Sequence, residues 1–129
     1  MENLALKVRI AMLWLFIAVS MSAHGVLAFM EREMVEQTWE MELGSGMMLF
    51  MAIFWWVPLV MAVLSVTLKD SANRWANMIL GIVFIVFNIF HLAEHLAKPS
   101  AHQILIIGST VVATALIVWY AWKWPKQEA

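Results

Sequence analysis

The sequence contains no cysteine, and this absence excludes several chemistries at once. Among its 129 residues there is no thiol for a disulfide, a thiolate nucleophile, an iron–sulfur cluster or a haem attached through a Cys-x-x-Cys-His motif. The sequence also has no glycine-rich phosphate loop and no basic patch. With a net charge of −1, it gives no reason to expect a nucleic-acid partner.

Charged side chains are also scarce. They make up 13% of the residues, against 64% that are hydrophobic, and the mean hydropathy of +0.81 lies outside the range of soluble globular proteins. The hydrophobic residues form four long runs, at 8–29, 47–68, 75–96 and 104–122. Each run is close to the ~20 residues that an α-helix needs to cross ~30 Å of hydrocarbon. None shows the alternation of a barrel strand. The sequence therefore predicts an all-α fold, a single domain over residues 1–129 with four transmembrane helices.

The segments between the later runs are short. Residues 69–74 separate the second and third runs, and residues 97–100 separate the third and fourth. Pro99 can end one helix and Ser100 can begin the next. Short connections force consecutive helices to be antiparallel, so we predict an up-down-up-down bundle.

The first run also has features of a signal peptide, with a basic start and an Ala-Val-Ser string at 18–20 that resembles a cleavage site. Its apolar stretch continues to Phe29, beyond the roughly 7–15 residues of a signal core. We therefore expect it to be a membrane-spanning helix, preceding an acidic connection at residues 30–44.

Basic residues are distributed unevenly between the two ends of the predicted bundle. Arg32 and Lys98 fall at one end. The other six fall at the opposite end: Lys7, Arg9, Lys69, Arg74, Lys123 and Lys126. Positively charged residues favour cytoplasmic loops. Both termini are therefore predicted to be cytoplasmic, and the main partner is the lipid bilayer.

All four histidines fall at the end that this orientation places outside the cytoplasm. His24 and His91 lie about sixteen residues into the first and third runs, which have the same direction, so their depths match. His95 follows His91 by one turn, and His102 precedes the fourth run. We expect these four side chains to converge beneath the outer surface.

Helical periodicity predicts the face that each span turns inward, because polar residues in a membrane span normally face the bundle interior. In the third span, one stripe with 4-3-4-3-4 spacing holds nearly all the polar side chains, and its residues are Asn77, Gly81, Phe84, Asn88, His91 and His95. The matching stripe of the first span is Ile17, Ser20, His24, Ala28 and Glu31. That of the fourth is His102, Ile106, Ser109, Ala113, Leu116 and Tyr120.

Imidazoles at one level of a membrane bundle are candidate ligands for a metal ion or a haem. Neutral imidazole suits zinc, iron and copper, so one of these ions is a candidate cofactor. The candidate metal ligands are His24, His91, Glu94, His95 and His102. A haem b held by His24 with His91 or His95 is the other candidate cofactor. Asn88 or Glu94 can orient a ligand through a hydrogen bond.

Other interpretations stay open. Residues 91–95 match the inverted zinc-peptidase string H-x-x-E-H, but that motif belongs to large soluble enzymes and nothing else here resembles them. A non-catalytic membrane subunit or interaction protein, with incidental histidines, is one alternative. A small transporter built as a homo-oligomer is another. The sequence does not decide whether any reaction is catalysed.

Four short strings carry a family resemblance: NRWAN at 73–77, IVWYAWKWP at 117–125, LWLF at 13–16 and PLVMAVLS at 58–65. In these strings the chain resembles a family of small four-span prokaryotic integral membrane proteins of unknown function. The resemblance implies the topology and a multi-pass location in the prokaryotic cytoplasmic membrane. It implies no chemistry, because the histidine cluster is not part of the family pattern.

Overall fold

The computed structural model describes residues 2–34 and 44–125, and this part of the chain folds into four α-helices without a strand. The helices are α1 (Glu2–Met34), α2 (Ser45–Thr67), α3 (Asp70–Ala97) and α4 (Ala101–Trp122). All four are long and apolar enough to cross a membrane. The all-α fold with four transmembrane helices, predicted from composition and run length, is confirmed.

Two of the helices extend well past the apolar runs that predict them. α1 has 33 residues and continues to Met34, into the acidic connection, and α3 begins at Asp70, before its apolar run. Backbone hydrogen bonding does not require an apolar side chain, and an acidic residue in the first turn of α3 complements the helix dipole. The rest of the acidic connection, residues 35–43, lies outside the described residues.

Contacts between helix ends define the order of the bundle. In α1, Lys7 Nζ donates a hydrogen bond to the Leu68 carbonyl oxygen (2.9 Å) and pairs with the Asp70 carboxylate (3.0 Å). In α3, Arg74 Nε donates to the Ala121 carbonyl oxygen of α4 (3.2 Å). The beginnings of α1 and α3 therefore lie beside the ends of α2 and α4, and the predicted up-down-up-down bundle is confirmed. The side of the membrane that this end faces stays a prediction.

The four helices are not equally close. α1 packs along both α2 and α4, and α3 packs along α4, whereas the backbones of α2 and α3 barely approach each other. Aromatic rings fill the wider space between α2 and α3. Phe54 stacks on Phe84 (centroids 5.0 Å apart), and Phe50 and Phe87 contact Phe54 and each other. Trp14 of α1 packs edge-on against Phe84 at 5.4 Å and closes the centre of the core.

A buried hydrogen-bond network joins α1, α2 and α3 in the half of the bundle that contains the Lys7–Asp70 pair. Asn77 Oδ1 accepts hydrogen bonds from Trp14 Nε1 (2.6 Å) and Ser65 Oγ (3.2 Å). Asn73 Nδ2 donates to the Ser65 carbonyl oxygen, and Asn77 Nδ2 donates to Asn73. All four side chains are fully buried. The bilayer offers no water to such groups, so these mutual bonds satisfy them and fix the rotation of α3.

The inward face of α4 differs from the predicted one by a single position. Its buried residues are Gln103, Ile107, Thr110, Ala113, Thr114, Ile117 and Ala121. His102 is exposed and Leu116 is 39% exposed, so the predicted inward stripe through these two residues is wrong. In a membrane the lipid-facing side of a helix is also apolar, and hydrophobic periodicity therefore separates the two faces poorly.

Candidate metal centre

His24 lies on the inward face of α1. The buried residues before it on that face are Ile10, Trp14, Ile17 and Met21, at a spacing of 4-3-4. A further step of three residues brings His24 onto the same face. Its imidazole is partly buried and contacts residues of α3 and α4.

His91 and His95 lie on the inward face of α3. The buried residues before them on that face are Asn77, Gly81, Phe84 and Asn88. Steps of three and four residues then place both imidazoles on the same face, where they are partly buried. The inward stripe predicted for α3 is confirmed.

These three imidazoles, hereafter the histidine triad, form one cluster. The ring centroids of His24 and His91 are 4.8 Å apart, and His95 lies 5.0 Å from each of the other two rings. One ligand nitrogen from each ring lies within 4.8 Å of the other two. Around a tetrahedral zinc ion with bonds of about 2.0–2.1 Å, ligand nitrogens are about 3.4 Å apart. The separations of up to 4.8 Å in the triad therefore exceed this spacing by no more than about 1.4 Å.

Gln103, from the first turn of α4, holds His24. Its side-chain Oε1 accepts a hydrogen bond from His24 Nδ1, and the residue is 1% exposed. An amide oxygen accepts but does not donate, so Nδ1 carries the proton and Nε2 keeps its lone pair for a ligand bond. Sequence reasoning missed Gln103 because the neighbouring His102 was assigned to the inward face. The sequence feature that could have identified Gln103 is its uncharged polar side chain in the first turn of a membrane helix, since such a side chain normally faces the bundle interior.

Two buried amides next to the triad have polar atoms without a hydrogen-bond partner. Asn88 precedes His91 by one turn and is fully buried, and neither its Nδ2 nor its Oδ1 is paired within the described residues. Gln103 Nε2 is likewise buried and unpaired. Unsatisfied buried polar groups are rare in proteins, and they mark a place where a further polar group fits.

The other two predicted ligands lie outside the triad. Glu94 is exposed, although it is adjacent to His95 in the sequence. The His102 imidazole is exposed; its Nε2 lies 3.4 Å from the Glu31 carboxylate, and both ring nitrogens lie within hydrogen-bonding distance of Ser100 Oγ. The structure therefore brings together His24, His91 and His95, as predicted, and leaves Glu94 and His102 at the surface.

Comparisons with known proteins bear on the family of the chain and not on its chemistry. No match to the chain was found among curated proteins or among solved structures. A family match covers residues 4–129, which include the triad and Gln103. This match confirms the resemblance to an uncharacterised family. The chain belongs to DUF6326, a family of unknown function.

Proposed function

We propose that the protein binds one divalent transition-metal ion, zinc, iron or copper, at the histidine triad, in the extracytoplasmic half of a prokaryotic cell membrane. The observation that carries the proposal is the grouping of three imidazoles from two helices, with one ligand nitrogen of each within 4.8 Å of the others. Within the described residues, His91 and His95 make ring contacts in this cluster and no hydrogen bond. Polar side chains inside a membrane bundle are expensive unless they have a partner, and a metal ion provides one for all three.

The depth of the triad supports an ion that enters from the nearer surface. His24 precedes the exposed Glu31 of α1 by seven residues, which is about 10 Å along the helix axis. His95 precedes the exposed Lys98 by three residues, or about 5 Å. The site is therefore below the surface but within reach of it.

The mutual ring contacts favour a bare ion over a haem. A haem with two axial histidines places them on opposite faces of the macrocycle. In the triad, each ring is in edge contact with both of the others. A macrocycle between any two of the rings would displace the third ring, whereas an ion at the centre of the three lies among ligand nitrogens that are already within 4.8 Å of one another.

Three imidazoles leave one position of a tetrahedral ion open. Structural zinc sites normally have four protein ligands, whereas catalytic sites have three and bind water or substrate in the fourth position. The hydrogen bond from His24 to Gln103 is of the kind that orients metal-ligating histidines and raises their basicity. The arrangement therefore supports a site that exchanges its fourth ligand.

The competing function is that of a membrane subunit in which the histidines make polar contacts and bind no ion. The test is metal binding by the full-length protein, purified without chelators. We expect elemental analysis to find about one transition-metal ion per chain, and Co²⁺ added to metal-free protein to give the visible absorption of a tetrahedral site. A colourless, metal-free protein that does not bind Co²⁺ would refute the proposal.

Matched histidine variants separate the triad from other histidines. His91→Gln and His95→Gln each remove one ligand of the triad, and we expect each to lower Co²⁺ affinity at least 100-fold. His102→Gln removes an exposed imidazole outside the triad. It should bind Co²⁺ as the unmodified protein does. Equal affinities in all three variants would show that bound Co²⁺ is not held by the triad.

A further inference from the structure

We infer that the carboxamides of Asn88 and Gln103, hereafter the amide pair, bind a small anion in the open fourth position of the metal ion. This inference rests on the proposed function and specifies the class of ligand that the site accepts. It depends on three features of the structure: the position of the two amides, their unpaired atoms and the charge of the site.

The amide pair approaches the triad from two helices. Asn88 lies on α3 one turn before His91, on the same buried face. Residues three apart on an α-helix are neighbours on one face, so the side chains of Asn88 and His91 lie beside each other on α3. Gln103 lies on α4 and contacts His24 directly. The two carboxamides are thus joined to the triad, one through its helix and the other through a hydrogen bond.

The unpaired atoms of the amide pair contrast with two other amides that are buried in the described part of the chain. Asn73 and Asn77 are equally buried, and their side chains donate and accept hydrogen bonds within the bundle. Asn88, with 0% exposure, leaves one NH₂ group and one carbonyl oxygen unpaired within the described residues, and Gln103 leaves its NH₂ group unpaired. Two NH₂ groups next to the triad offer several donors to a ligand, and the Asn88 oxygen offers one acceptor.

The charge of the site decides between a neutral and an anionic ligand. Three neutral imidazoles leave a divalent ion with a net charge of +2, and the metal-binding group found among the described residues includes no carboxylate. Holding such a charge in apolar surroundings is costly, and an anion in the fourth position halves it. The NH₂ donors of the amide pair stabilise an anion, and the Asn88 oxygen accepts a hydrogen bond from one that carries a proton, such as hydroxide. Small anions with accepting atoms are therefore the ligand class.

Azide is a suitable probe of this class, because it is small, anionic and able to bind a metal ion. The full-length protein is first loaded with Co²⁺ and then titrated with sodium azide, while the visible spectrum is recorded. We expect a saturable spectral change in the unmodified protein. Asn88→Leu keeps the number and branching of the side-chain heavy atoms but has no polar atoms, and it should weaken azide binding at least 10-fold while still binding Co²⁺. His102→Gln should leave azide affinity unchanged.

The outcomes distinguish this inference from the proposed function. Failure of the unmodified protein to bind Co²⁺, seen before azide is added, would refute both. If the unmodified protein binds Co²⁺ without a spectral response to azide, or if Asn88→Leu binds azide as tightly as the unmodified protein, anion binding by the amide pair is refuted. The proposed metal site is not affected by either result. Asn88→Asp provides a second variant if Asn88→Leu does not fold. It keeps the side-chain volume and adds a negative charge that repels an anion, so it should also weaken azide binding at least 10-fold.

Discussion

At the scale of single residues, Gln103 has more influence on the triad than its lack of charge suggests. Its oxygen accepts a hydrogen bond from His24 Nδ1–H and so leaves Nε2 free to bind an ion. Its carboxamide is almost completely buried, so water does not compete for this hydrogen bond. Through this oxygen Gln103 positions His24, whereas its NH₂ group is the part that we infer to contact an anion.

Gln103→Leu should lower the Co²⁺ affinity of the protein about 10–100-fold, as loss of a group that orients a metal-ligating histidine typically does. Gln103→Glu keeps an oxygen acceptor for His24 Nδ1 and should restore most of the affinity. The measurement is a Co²⁺ titration of the metal-free variants. A purely structural role for Gln103 would show itself as equal affinity in both variants, accompanied by a loss of thermal stability.

Residue counting alone was sufficient to predict that His24, His91 and His95 converge. The prediction works because the rise per residue of an α-helix is constant and the order of the spans is set by short connections. It could not separate Glu94 from the cluster, since Glu94 is only about 60° around the helix from His91. Nor could it identify the hydrogen bond between His24 and Gln103, which depends on how α1 and α4 are rotated against each other.

At the scale of helices, close packing of α3 against α4 depends on Gly81. A Cβ atom at this position would lie 2.7 Å from Val118 Cγ2 and 3.7 Å from the Val118 backbone nitrogen. Valine is stiff at χ1, so its methyl group cannot easily move away. A residue without a side chain is what allows the two backbones to approach here, as is common between membrane helices.

Gly81→Ala should therefore destabilise the protein by about 1–2 kcal/mol, since overpacking costs roughly 1–3 kcal/mol and the better helix propensity of alanine returns up to about 1 kcal/mol. Gly108→Ala is the matched control, because a Cβ atom there has no neighbour within 4 Å. It should be neutral or stabilise the protein by up to about 1 kcal/mol. Unfolding of both variants in detergent, followed by circular dichroism, measures the difference. Equal free energies of unfolding in the two variants would mean that α3 and α4 can move apart to accommodate the added methyl group without destabilising the protein.

The sequence predicted the number and direction of the helices and the inward face of α3, but not the inward face of α4. α3 carries Asn77, Asn88 and two histidines on one face, and polar residues in a membrane span have a strong reason to avoid lipid. The polar residues of α4 are mostly hydroxylated, and Thr110 and Thr114 satisfy their hydroxyl groups by bonding to carbonyl oxygens of their own helix. Such residues tolerate either face, so periodicity in α4 gives an ambiguous answer.

At the scale of the whole molecule, the two ends of the bundle have different roles. One half contains the Lys7–Asp70 ion pair, the Asn77 hydrogen-bond network and the core around Trp14, and its buried amides are hydrogen-bonded, although Trp124 Nε1 is buried there without a partner within the described residues. The other half contains the triad and the amide pair, with polar atoms that lack partners within the described residues. This uneven distribution of unpaired polar atoms is what the proposed ligand site predicts, because a bound ligand would provide partners in the half that contains the triad.

The distribution of basic residues predicts that the triad lies near the extracytoplasmic surface of the membrane. Because the sequence has no cysteine, labelling of single introduced cysteines can test this prediction. Ser71 and Ala97 are exposed residues at opposite ends of α3, about 39 Å apart along its axis, a distance that nearly matches the ~40–45 Å of a whole bilayer. In spheroplasts, a membrane-impermeant maleimide should label Ala97→Cys and not Ser71→Cys, because the positively charged residues near Ser71 predict that this end is cytoplasmic. Both variants should be labelled after permeabilisation, and the unmodified chain should never be labelled. Labelling of Ser71→Cys in intact spheroplasts would place the triad next to the cytoplasm, so that its ion would come from the cytoplasm and not from outside the cell.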